Sequence, residues 1–300
     1  MSTVFVVHNG NQEYLRQCLR FARQNGNETV LIGNEQSFRS ECDQYFDDDI
    51  DLPEFDRFIS TYVHMSSNSE WFEVLCFKRY FFLLTMVQKL NLDSFWMIDS
   101  DVLLLEDLAV FQDYLTNNNY NAALSTMAQT TDYGWSSSPH ISFWTRKSLE
   151  SFIEFTIDTY TKNMYKLEEK FNYHKANSLA GGICDMTLLF LWASQTEQIY
   201  NTSTAHLDGH HLYDHNINLR KNVGDDRFQS SKILKVKTIK SVTGNLVAQE
   251  LISQKRYIVG SLHFQGRAKR LIPSFAKVHS TELKYNLSVV LTDFTKKLRT

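Results

Sequence analysis

The sequence predicts an α/β protein with a mainly parallel β-sheet flanked by helices, and three observations support this class. Residues 3–8 (TVFVVH) and 29–33 (TVLIG) are short, apolar, β-rich runs of strand length. Residues 12–24 (QEYLRQCLRFARQ), which lie between them, place apolar side chains at helical spacing. Strand-like and helix-like segments then alternate along the chain, which is the pattern of βαβ units and therefore of a parallel sheet.

The later elements are predicted from the same strand-like and helix-like patterns. Residues 69–90 predict a long helix that is apolar nearly all round and therefore buried. Residues 41–59 are acidic and irregular, which indicates a surface excursion, and residues 206–227 are polar and rich in His and Asn. The other predicted elements are helices over 107–115, 147–172 and 186–194, and strands over 121–125, 140–144, 232–239 and 256–263.

Composition excludes several classes of protein. The 300 residues carry 31 Lys and Arg against 34 Asp and Glu, and a net charge of −3 argues against nucleic-acid binding through a basic surface. No apolar run reaches about 18 residues and the N-terminus lacks a basic segment, so we expect neither a spanning helix nor a signal peptide. The four cysteines form no CxxC motif, which favours reduced thiols in a cytoplasmic protein; they are Cys18, Cys42, Cys76 and Cys184.

Two aspartates interrupt the apolar run over residues 95–105 (FWMIDSDVLLL). Asp99 and Asp101 are two positions apart, and on a continuous strand such residues point to the same face. Because like charges on a buried face repel and lose hydration, they need a cation. Carboxylate pairs favour hard ions such as Mg²⁺ or Mn²⁺, which also bind phosphate oxygens. The structural alternative is a solvated turn between two strands, which the apolar flanks disfavour.

A second segment with candidate functional residues lies near the end of the chain. His263 ends a predicted strand, and Gly266, Lys269 and Arg270 follow it. Glycine permits close backbone approach, the basic side chains suit a diphosphate, and a histidine at a strand end can complete a metal site. A purely structural histidine is the alternative.

Together, the Asp-x-Asp motif after a strand and the late His-x-x-Gly-x-x-Lys segment resemble the glycosyltransferases of the GT-A fold, nearest to glycosyltransferase family 8 and similar bacterial sugar transferases. The resemblance covers about residues 3–270. It implies a single Rossmann-like sheet with the Asp-x-Asp motif at a strand end. It also implies that Asp99, Asp101 and His263 bind Mn²⁺ (or Mg²⁺), which holds the diphosphate of a nucleotide sugar, usually a UDP-sugar.

The resemblance also implies roles for residues around this metal site. Those implied in donor binding are Val7, His8, Asn9, Lys78, Arg79, Ser100, Gly266 and Lys269. Arg79 has apolar helical neighbours, where a cation is costly unless it reaches an anion; it could instead snorkel or pair with an acidic side chain. Asp185 is implied as the catalytic carboxylate beside the donor sugar. It precedes an apolar helix and equally fits a helix N-cap.

Aromatic and small residues suggest where an acceptor would bind. Tyr133, Trp135 and Trp144 flank a Ser-rich segment and suit either stacking on a sugar or ordinary core packing. Gly182 is a further acceptor-site candidate. A zinc site is also conceivable, although its ligand spacing is irregular and favours a polar loop; the residues are His206, Asp208, His210, His211, Asp214 and His215.

The resemblance implies a catalytic domain over residues 1–275. Its first half, about 1–125, would bind the nucleotide, and about 126–275 would bind the acceptor and complete the metal site. Residues 276–300 are predicted as a helical tail. Basic and apolar residues interleave in this tail, so it is either a docked helix or a peripheral contact with the inner face of a membrane; the basic residues are Lys284, Lys296, Lys297 and Arg299.

The implied activity is transfer of a hexose from a nucleotide-diphosphate donor to a glycan or other hydroxyl acceptor, with retention favoured over inversion. Asp185 would stabilise the sugar cation or act as nucleophile in a retaining reaction, and would be the general base in an inverting one. Two alternatives stay open. A nucleotidyltransferase would make the sugar nucleotide, although residues 8–11 (HNGN) lack a Gly-rich basic loop. An inactive module would only bind it.

Overall fold

A computed structural model describes residues 1–126, 129, 131–203, 210–217, 227–231, 236–242 and 245–280. Its strands are β1 (Thr3–His8), β2 (Glu28–Gly33), β3 (Gln44–Asp47), β4 (Ser94–Ile98), β5 (Val102–Leu104), β6 (Ala122–Thr126), β7 (Ser137–Thr145), β8 (Ile199–Asn201), β9 (His211–Leu212), β10 (Ser230–Ser231), β11 (Val236–Lys237), β12 (Ile239–Val242), β13 (Asn245–Gln249), β14 (Arg256–Val259) and β15 (Ser261–His263). Its helices are α1 (Tyr14–Gln24), α2 (Pro53–Ile59), α3 (Glu70–Lys89), α4 (Ala109–Asn117), α5 (Arg146–Lys162), α6 (Met164–Ala176), α7 (Asp185–Ala193) and α8 (Ile272–Ser280), with 3₁₀ helices at Gln36–Glu41 and Gly266–Leu271.

The main sheet has seven strands in the order β3-β2-β1-β4-β7-β6-β8. Strand β1 pairs in parallel with β2 and β4, β2 with β3, and β6 with β8, whereas β7 is antiparallel to both of its neighbours. The predicted α/β class with a mainly parallel sheet is therefore confirmed. Because β1 and β4 are adjacent and parallel, His8 and the turn after Ile98 lie at the same edge of the sheet, where open α/β sheets bind ligands.

Helices cover both faces of this sheet. Side chains alternate along β1, so Val4 and Val6 belong to the apolar layer that includes residues of α1, α4 and α8, while Phe5 belongs to the layer that includes residues of α2, α3, α5 and α7. All three side chains are fully buried. A buried side chain of this kind contributes about 1.5–3 kcal/mol relative to exposure, so these two apolar layers are the main source of stability.

The acidic segment 41–59 is more ordered than its sequence predicts. Its first part completes a 3₁₀ helix, Gln44–Asp47 forms the edge strand β3, and Pro53 begins α2. The Asp43 carboxylate accepts hydrogen bonds from the backbone and hydroxyl of Thr29, which attaches β3 to β2. An edge strand is paired on one side only and tolerates polar residues, so it lacks the apolar pattern of a buried strand.

Two further predicted elements are divided in the structure. The helix predicted over 147–172 breaks at Asn163, which ends α5 and precedes α6 with φ of −128°. The strand predicted over 256–263 breaks at Gly260. A Cβ there would lie 2.9 Å from Glu106 Oε2 and 3.0 Å from the Tyr213 ring. Gly260 therefore occupies a tight position between β14 and β15, in which a larger residue would clash.

Strand β15 does not continue into the main sheet. It forms an antiparallel ladder with β5, in which His263 faces Val102. Strands β12, β13, β14 and β9 form a separate four-stranded sheet. The β5–β15 ladder therefore brings residues near the end of the chain to the edge where β4 ends.

The four cysteines are free thiols, and burial is the main cause that raises the pKa of each, to about 11 for Cys42 and Cys184. No helix in the described part of the chain is both long and apolar enough to cross a bilayer. Residues 281–300 lie outside the described residues; they make up most of the predicted tail and include its four basic residues. The predicted division into two halves and a tail stays a prediction.

Candidate active site

Asp99 and Asp101 lie in a turn between β4 and β5, directly after the end of β4, which is where the resemblance implied the Asp-x-Asp motif. The backbone N–H of Val102 donates to the carbonyl of Asp99 at 3.0 Å and closes this turn. Strand β5 then leaves the main sheet to pair with β15. The two carboxylates therefore converge through the turn. Unlike an ordinary surface turn, this one is partly buried: only 6% of the Asp101 side chain is exposed, against 35% of the Asp99 side chain.

His263 completes a three-residue group with these carboxylates. One ligand atom from each of Asp99, Asp101 and His263 can be chosen so that all lie within 4.8 Å of one another. The His263 Nε2 atom is 3.5 Å from Asp101 Oδ1. Two carboxylate oxygens and one imidazole nitrogen fit Mn²⁺, or Mg²⁺ with its stronger preference for oxygen. Three protein ligands also leave coordination positions for phosphate oxygens or water. The residues thus fit the divalent ion that the sequence implies.

Positive charge surrounds Asp101 even without a metal. Lys269 Nζ lies 3.2 Å from Asp101 Oδ2, and the same ammonium sits over the Tyr14 ring at 5.2 Å. Burial alone would raise the pKa of Asp101, but hydrogen bonds and charge from His263 and Lys269 hold it well below its usual range. Asp101 is consequently a carboxylate at every physiological pH, as a metal ligand must be.

Arg79 of α3 joins the Asp-x-Asp turn to Asp185. Its Nη1 donates to Asp99 Oδ1 at 2.8 Å, and its Nη2 donates to Asp185 Oδ2. Tyr80 also donates its hydroxyl to Asp185 Oδ2, at 3.0 Å. The acidic pairing considered for Arg79 is therefore present, and it places the guanidinium beside the proposed metal ligands. The Lys78 ammonium instead lies over the rings of Phe55 and Phe82, at 5.6 and 4.8 Å.

Asp185 is the first residue of α7, and Cys184 occupies the N-cap position. The N-cap expected at Asp185 is thus wrong by one residue. Its carboxylate is buried, with 4% of the side chain exposed, and accepts the backbone N–H of Met186 at 2.8 Å. A carboxylate in the first turn interacts favourably with the helix dipole, and this carboxylate also pairs with Arg79.

The end of β1 contacts the Asp-x-Asp turn directly. His8 Nδ1 is 2.9 Å from the Ser100 hydroxyl, and His8 Nε2 is 2.6 Å from Gln12 Oε1. Burial lowers the pKa of His8, which favours the neutral ring. Asn9 donates to Asp48, and Val7 is half-buried against the apolar layer of α3. His8 and Ser100 are thus brought together, while Asn9 is attached to the segment before α2.

The glycines in the two motifs differ in their surroundings. Gly182 has φ of +149°, and a Cβ there would lie 2.3 Å from the carbonyl oxygen of Met65. It bridges Ser66 in a short antiparallel pair, so its close approach is to the protein backbone. Gly266 has φ of +60° and open space where a Cβ would project, which leaves room for a ligand near Lys269.

Tyr133 and Trp135 form an aromatic cluster with Tyr173 of α6. The Tyr133 ring centroid is 5.1 Å from each of the other two rings. Both Tyr133 and Trp135 are half-buried, so they have accessible surface. Trp144 is fully buried and stacks on Trp192. The stacking role considered for Trp144 is therefore wrong, and it is a core residue.

Lys170 of α6 attaches this aromatic cluster to α7. Its buried ammonium donates to the carbonyl of Trp135 at 3.1 Å and to the Thr187 hydroxyl at 2.8 Å. Both partners are uncharged, and burial lowers the pKa of Lys170 to about 8. Because Thr187 follows Asp185 by two residues, Lys170 joins the aromatic cluster to the helix end that carries Asp185.

We expect Lys170→Met to remove a pH dependence of stability. Between pH 8 and 10.5 the unfolded chain keeps the Lys170 proton and the folded chain has lost it, so this residue makes stability rise with pH across that window. The free-energy difference between wild type and Lys170→Met should change by on the order of 3 kcal/mol over this range. Urea unfolding at several pH values measures it. Lys162→Met removes an exposed lysine paired with Asp158 and is the control; equal slopes for all three proteins would contradict the prediction.

Three site residues, His140, Asn216 and Tyr80, were not singled out as functional by the sequence, and a fourth, Asp214, was considered only as a zinc ligand. His140 Nε2 lies 2.7 Å from Asp214 Oδ1, and the His140 ring stacks on His263 with centroids 4.1 Å apart. Asn216 Nδ2 lies 3.5 Å from His263 Nδ1, and Tyr80 contacts Asp185. Only the proximity of Asp214 and Asn216 in the 206–227 polar segment gave a sequence signal.

The zinc site considered for the polar segment has no support among the residues that the structure describes. Asp214 is engaged with His140 and Ser125. His215 is buried against the Phe228 ring, and burial lowers its pKa to about 3. The group of metal-binding residues found in the described ranges is Asp99, Asp101 and His263. His206 and Asp208 lie outside those ranges.

No protein-family model matches the sequence, and no curated protein matches it. Similar solved structures include the galactosyltransferase LgtC in complex with donor and acceptor sugar analogues, at 10% identity over 94% of this chain and 98% of that chain, with a TM-score of 0.46. Mouse xyloside xylosyltransferase 1 is 9% identical over 67% and 84%, with a TM-score of 0.45. A glycosyltransferase involved in glycosylation of the major capsid of PBCV-1 is 10% identical over 93% and 100%, with a TM-score of 0.43.

Proposed function

We propose that this chain is a metal-dependent glycosyltransferase that moves a sugar, most simply a hexose, from a UDP-sugar to a hydroxyl acceptor such as a glycan. The observation that carries the proposal is the group of half-buried Asp99 with buried Asp101 and His263 at the carboxyl edge of a mainly parallel sheet. Lys269 and the open space beside Gly266 adjoin this group. These features suit a metal-bound diphosphate better than an isolated cation, because a diphosphate supplies the remaining ligands.

The reaction breaks the bond between the anomeric carbon and the diphosphate oxygen and forms a bond from that carbon to the acceptor oxygen. Its difficulty is the negative charge that develops on the departing diphosphate. Asp99, Asp101 and His263 would hold Mn²⁺, and the bound ion would neutralise part of this charge. Lys269 places a second positive charge at the same edge of the site, and preorganised charge of this kind is worth several kcal/mol in a transition state.

Asp185 is the proposed catalytic carboxylate on the sugar side. It lies across Arg79 from Asp99, so one guanidinium sets the separation between the metal group and this carboxylate. In a retaining reaction, which we favour, Asp185 would stabilise the positive charge on the sugar and the acceptor proton would pass to the departing diphosphate. In an inverting reaction Asp185 would accept that proton.

The donor and acceptor would bind on opposite sides of Asp185. The proposed donor side is built from the end of β1 and the Asp-x-Asp turn, where His8 meets Ser100. Asn9, Val7 and Gly266 are the flanking candidates. The proposed acceptor side is the aromatic cluster of Tyr133 and Trp135, which Lys170 joins to α7. Aromatic faces beside polar groups suit the apolar face and hydroxyl rim of a sugar.

Product analysis separates this proposal from its alternatives. The enzyme is incubated with UDP-glucose, UDP-galactose or GDP-mannose, with Mn²⁺ or with EDTA, and phosphorus NMR follows the nucleotide. We expect metal-dependent release of the nucleoside diphosphate, through transfer or slow hydrolysis. Pyrophosphate formation from UTP and a sugar 1-phosphate would instead indicate a nucleotidyltransferase. Metal-dependent binding without turnover of any donor would indicate an inactive sugar-nucleotide-binding module.

A further inference from the structure

His140 contacts both arms of the proposed metal site. Its backbone carbonyl accepts the N–H of Asp99 at 2.9 Å, so β7 holds the start of the Asp-x-Asp turn. Its imidazole lies flat on the His263 ring, with centroids 4.1 Å apart and an interplanar angle of 18°. These two contacts reach from one residue to ligands that are 164 positions apart in the chain.

The His140 ring is itself held at both nitrogens. Nε2 is 2.7 Å from Asp214 Oδ1, and Nδ1 is 2.7 Å from the Ser138 hydroxyl. Asp214 is held in turn by the Ser125 hydroxyl. Only 1% of the His140 side chain and 4% of the Asp214 side chain are exposed. A ring bonded at both nitrogens cannot flip or tilt without losing a buried hydrogen bond, which costs about 1–3 kcal/mol.

His263 depends on this support for its orientation. Its Nε2 atom faces Asp101, and its Nδ1 atom faces Asn216 at 3.5 Å, which is at the outer limit of a hydrogen bond. A long contact of this kind gives weak orientation. The face of the His140 ring, stacked at 4.1 Å, is therefore a fixed surface against which the His263 ring can be aligned.

We propose that His140, held by Asp214 and Ser138, is a positioning residue that aligns His263 and the Asp-x-Asp turn as ligands for a divalent cation. The inference rests on the metal site of the proposed function and extends it to residues outside the ligand set. It accounts for Asp214 in the polar segment before β10, whose buried carboxylate otherwise has no role. Residues that orient metal ligands typically change metal affinity by about 10–100-fold when they are altered.

Metal binding without turnover tests the proposal. Mn²⁺ is titrated into the protein, with and without UDP, and the electron paramagnetic resonance signal of free Mn²⁺ gives its dissociation constant. The visible absorption spectrum of bound Co²⁺ reports ligand geometry. We expect His140→Gln to weaken Mn²⁺ binding by about 10–100-fold and to change the Co²⁺ spectrum. His263→Ala removes a ligand and should weaken binding at least as much.

Matched variants separate orientation from a merely structural role. Asp214→Asn keeps the shape and an oxygen acceptor for His140 and should bind Mn²⁺ nearly as wild type, whereas Asp214→Ala should resemble His140→Gln. His211→Gln removes a histidine of β9 that lies 3.6 Å from Glu106, with no contact to the metal group among those described, and should leave binding unchanged. If His140→Gln does not fold, Ser138→Ala removes one hydroxyl only and should weaken Mn²⁺ binding several-fold.

The outcomes distinguish this inference from the function on which it rests. Wild-type dissociation constants and Co²⁺ spectra in His140→Gln, or in Ser138→Ala when that variant is used, would overturn the positioning role and leave the metal site standing. Equal weakening by Asp214→Asn and Asp214→Ala would also overturn it, because charge and not orientation would then control binding. Failure of the wild-type protein to bind Mn²⁺ in any condition would overturn the metal site itself.

Discussion

Asp101→Asn is expected to lower metal-dependent turnover of the donor by on the order of 10³-fold. The substitution keeps the size of the side chain but removes the charge that faces His263 and Lys269 at the most buried point of the turn. An amide is a much weaker ligand for Mn²⁺ than a carboxylate. The measurement is the rate of UDP release from a UDP-sugar at saturating Mn²⁺, with circular dichroism to verify folding.

Asp93→Asn is the matched control for this variant. Asp93 precedes β4 at the opposite end of the strand from Asp101, its side chain is fully exposed, and its contact with Arg146 is long, at 3.7 Å. We expect it to turn over donor at the wild-type rate. If Asp101→Asn also keeps the wild-type rate while remaining folded, the Asp-x-Asp turn is not a metal site and the proposed mechanism fails.

Arg79→Met is expected to cost about 3–5 kcal/mol of stability, the typical effect of removing one partner from a buried ion pair. Only 15% of the Arg79 side chain and 4% of the Asp185 side chain are exposed. The variant leaves the Asp185 carboxylate with the Tyr80 hydroxyl and one backbone N–H as its donors. The midpoint temperature of thermal unfolding should fall by roughly 10 °C.

The double variant Arg79→Met with Asp185→Asn tests the physical cause. Because Asp185→Asn removes the carboxylate charge that Arg79→Met leaves unpaired, the double variant should recover more than half of the stability lost by Arg79→Met alone. Arg57→Met is the control, since Arg57 pairs with Glu54 and Glu154 at the surface and such pairs contribute about 0–1 kcal/mol. Additive losses in the double variant would show that Arg79 and Asp185 are not coupled.

Most of the fold was predictable because its central elements are buried in regular patterns. The predicted strand 3–8 coincides with β1, and the predicted helix 69–90 differs from α3 by one residue at each end. These segments are apolar enough that local pattern and tertiary environment agree. The wrong predictions lie where tertiary contacts determine the local structure. β3 is a polar edge strand held through Asp43, and the break between α5 and α6 falls at Asn163, with no Pro or Gly to indicate it.

The charged residues of the candidate site were predictable from the sequence, whereas the residues that hold them in place were not. Asp99, Asp101 and His263 were expected to converge, since isolated buried carboxylates need a cation and the motifs resemble a known metal site; the structure brings these residues together. His140 was missed because a histidine within a predicted strand gives no local signal. Its partners Asp214 and His263 are 74 and 123 positions away in sequence, and only the folding of β7 against the 211–217 segment and β15 reveals the contact.

The central claim is that Asp99, Asp101 and His263 bind a divalent ion that receives a nucleoside diphosphate. The most direct measurement is the thermal stability of the protein with UDP, GDP or CMP, each in Mn²⁺ and in EDTA. At a concentration about 100 times its dissociation constant, a bound nucleotide adds roughly 2.7 kcal/mol and raises the unfolding temperature by several degrees. We predict this shift with UDP and its loss in EDTA. An absence of any shift with every nucleotide in Mn²⁺, or an equal shift in EDTA, would contradict the assignment of the site.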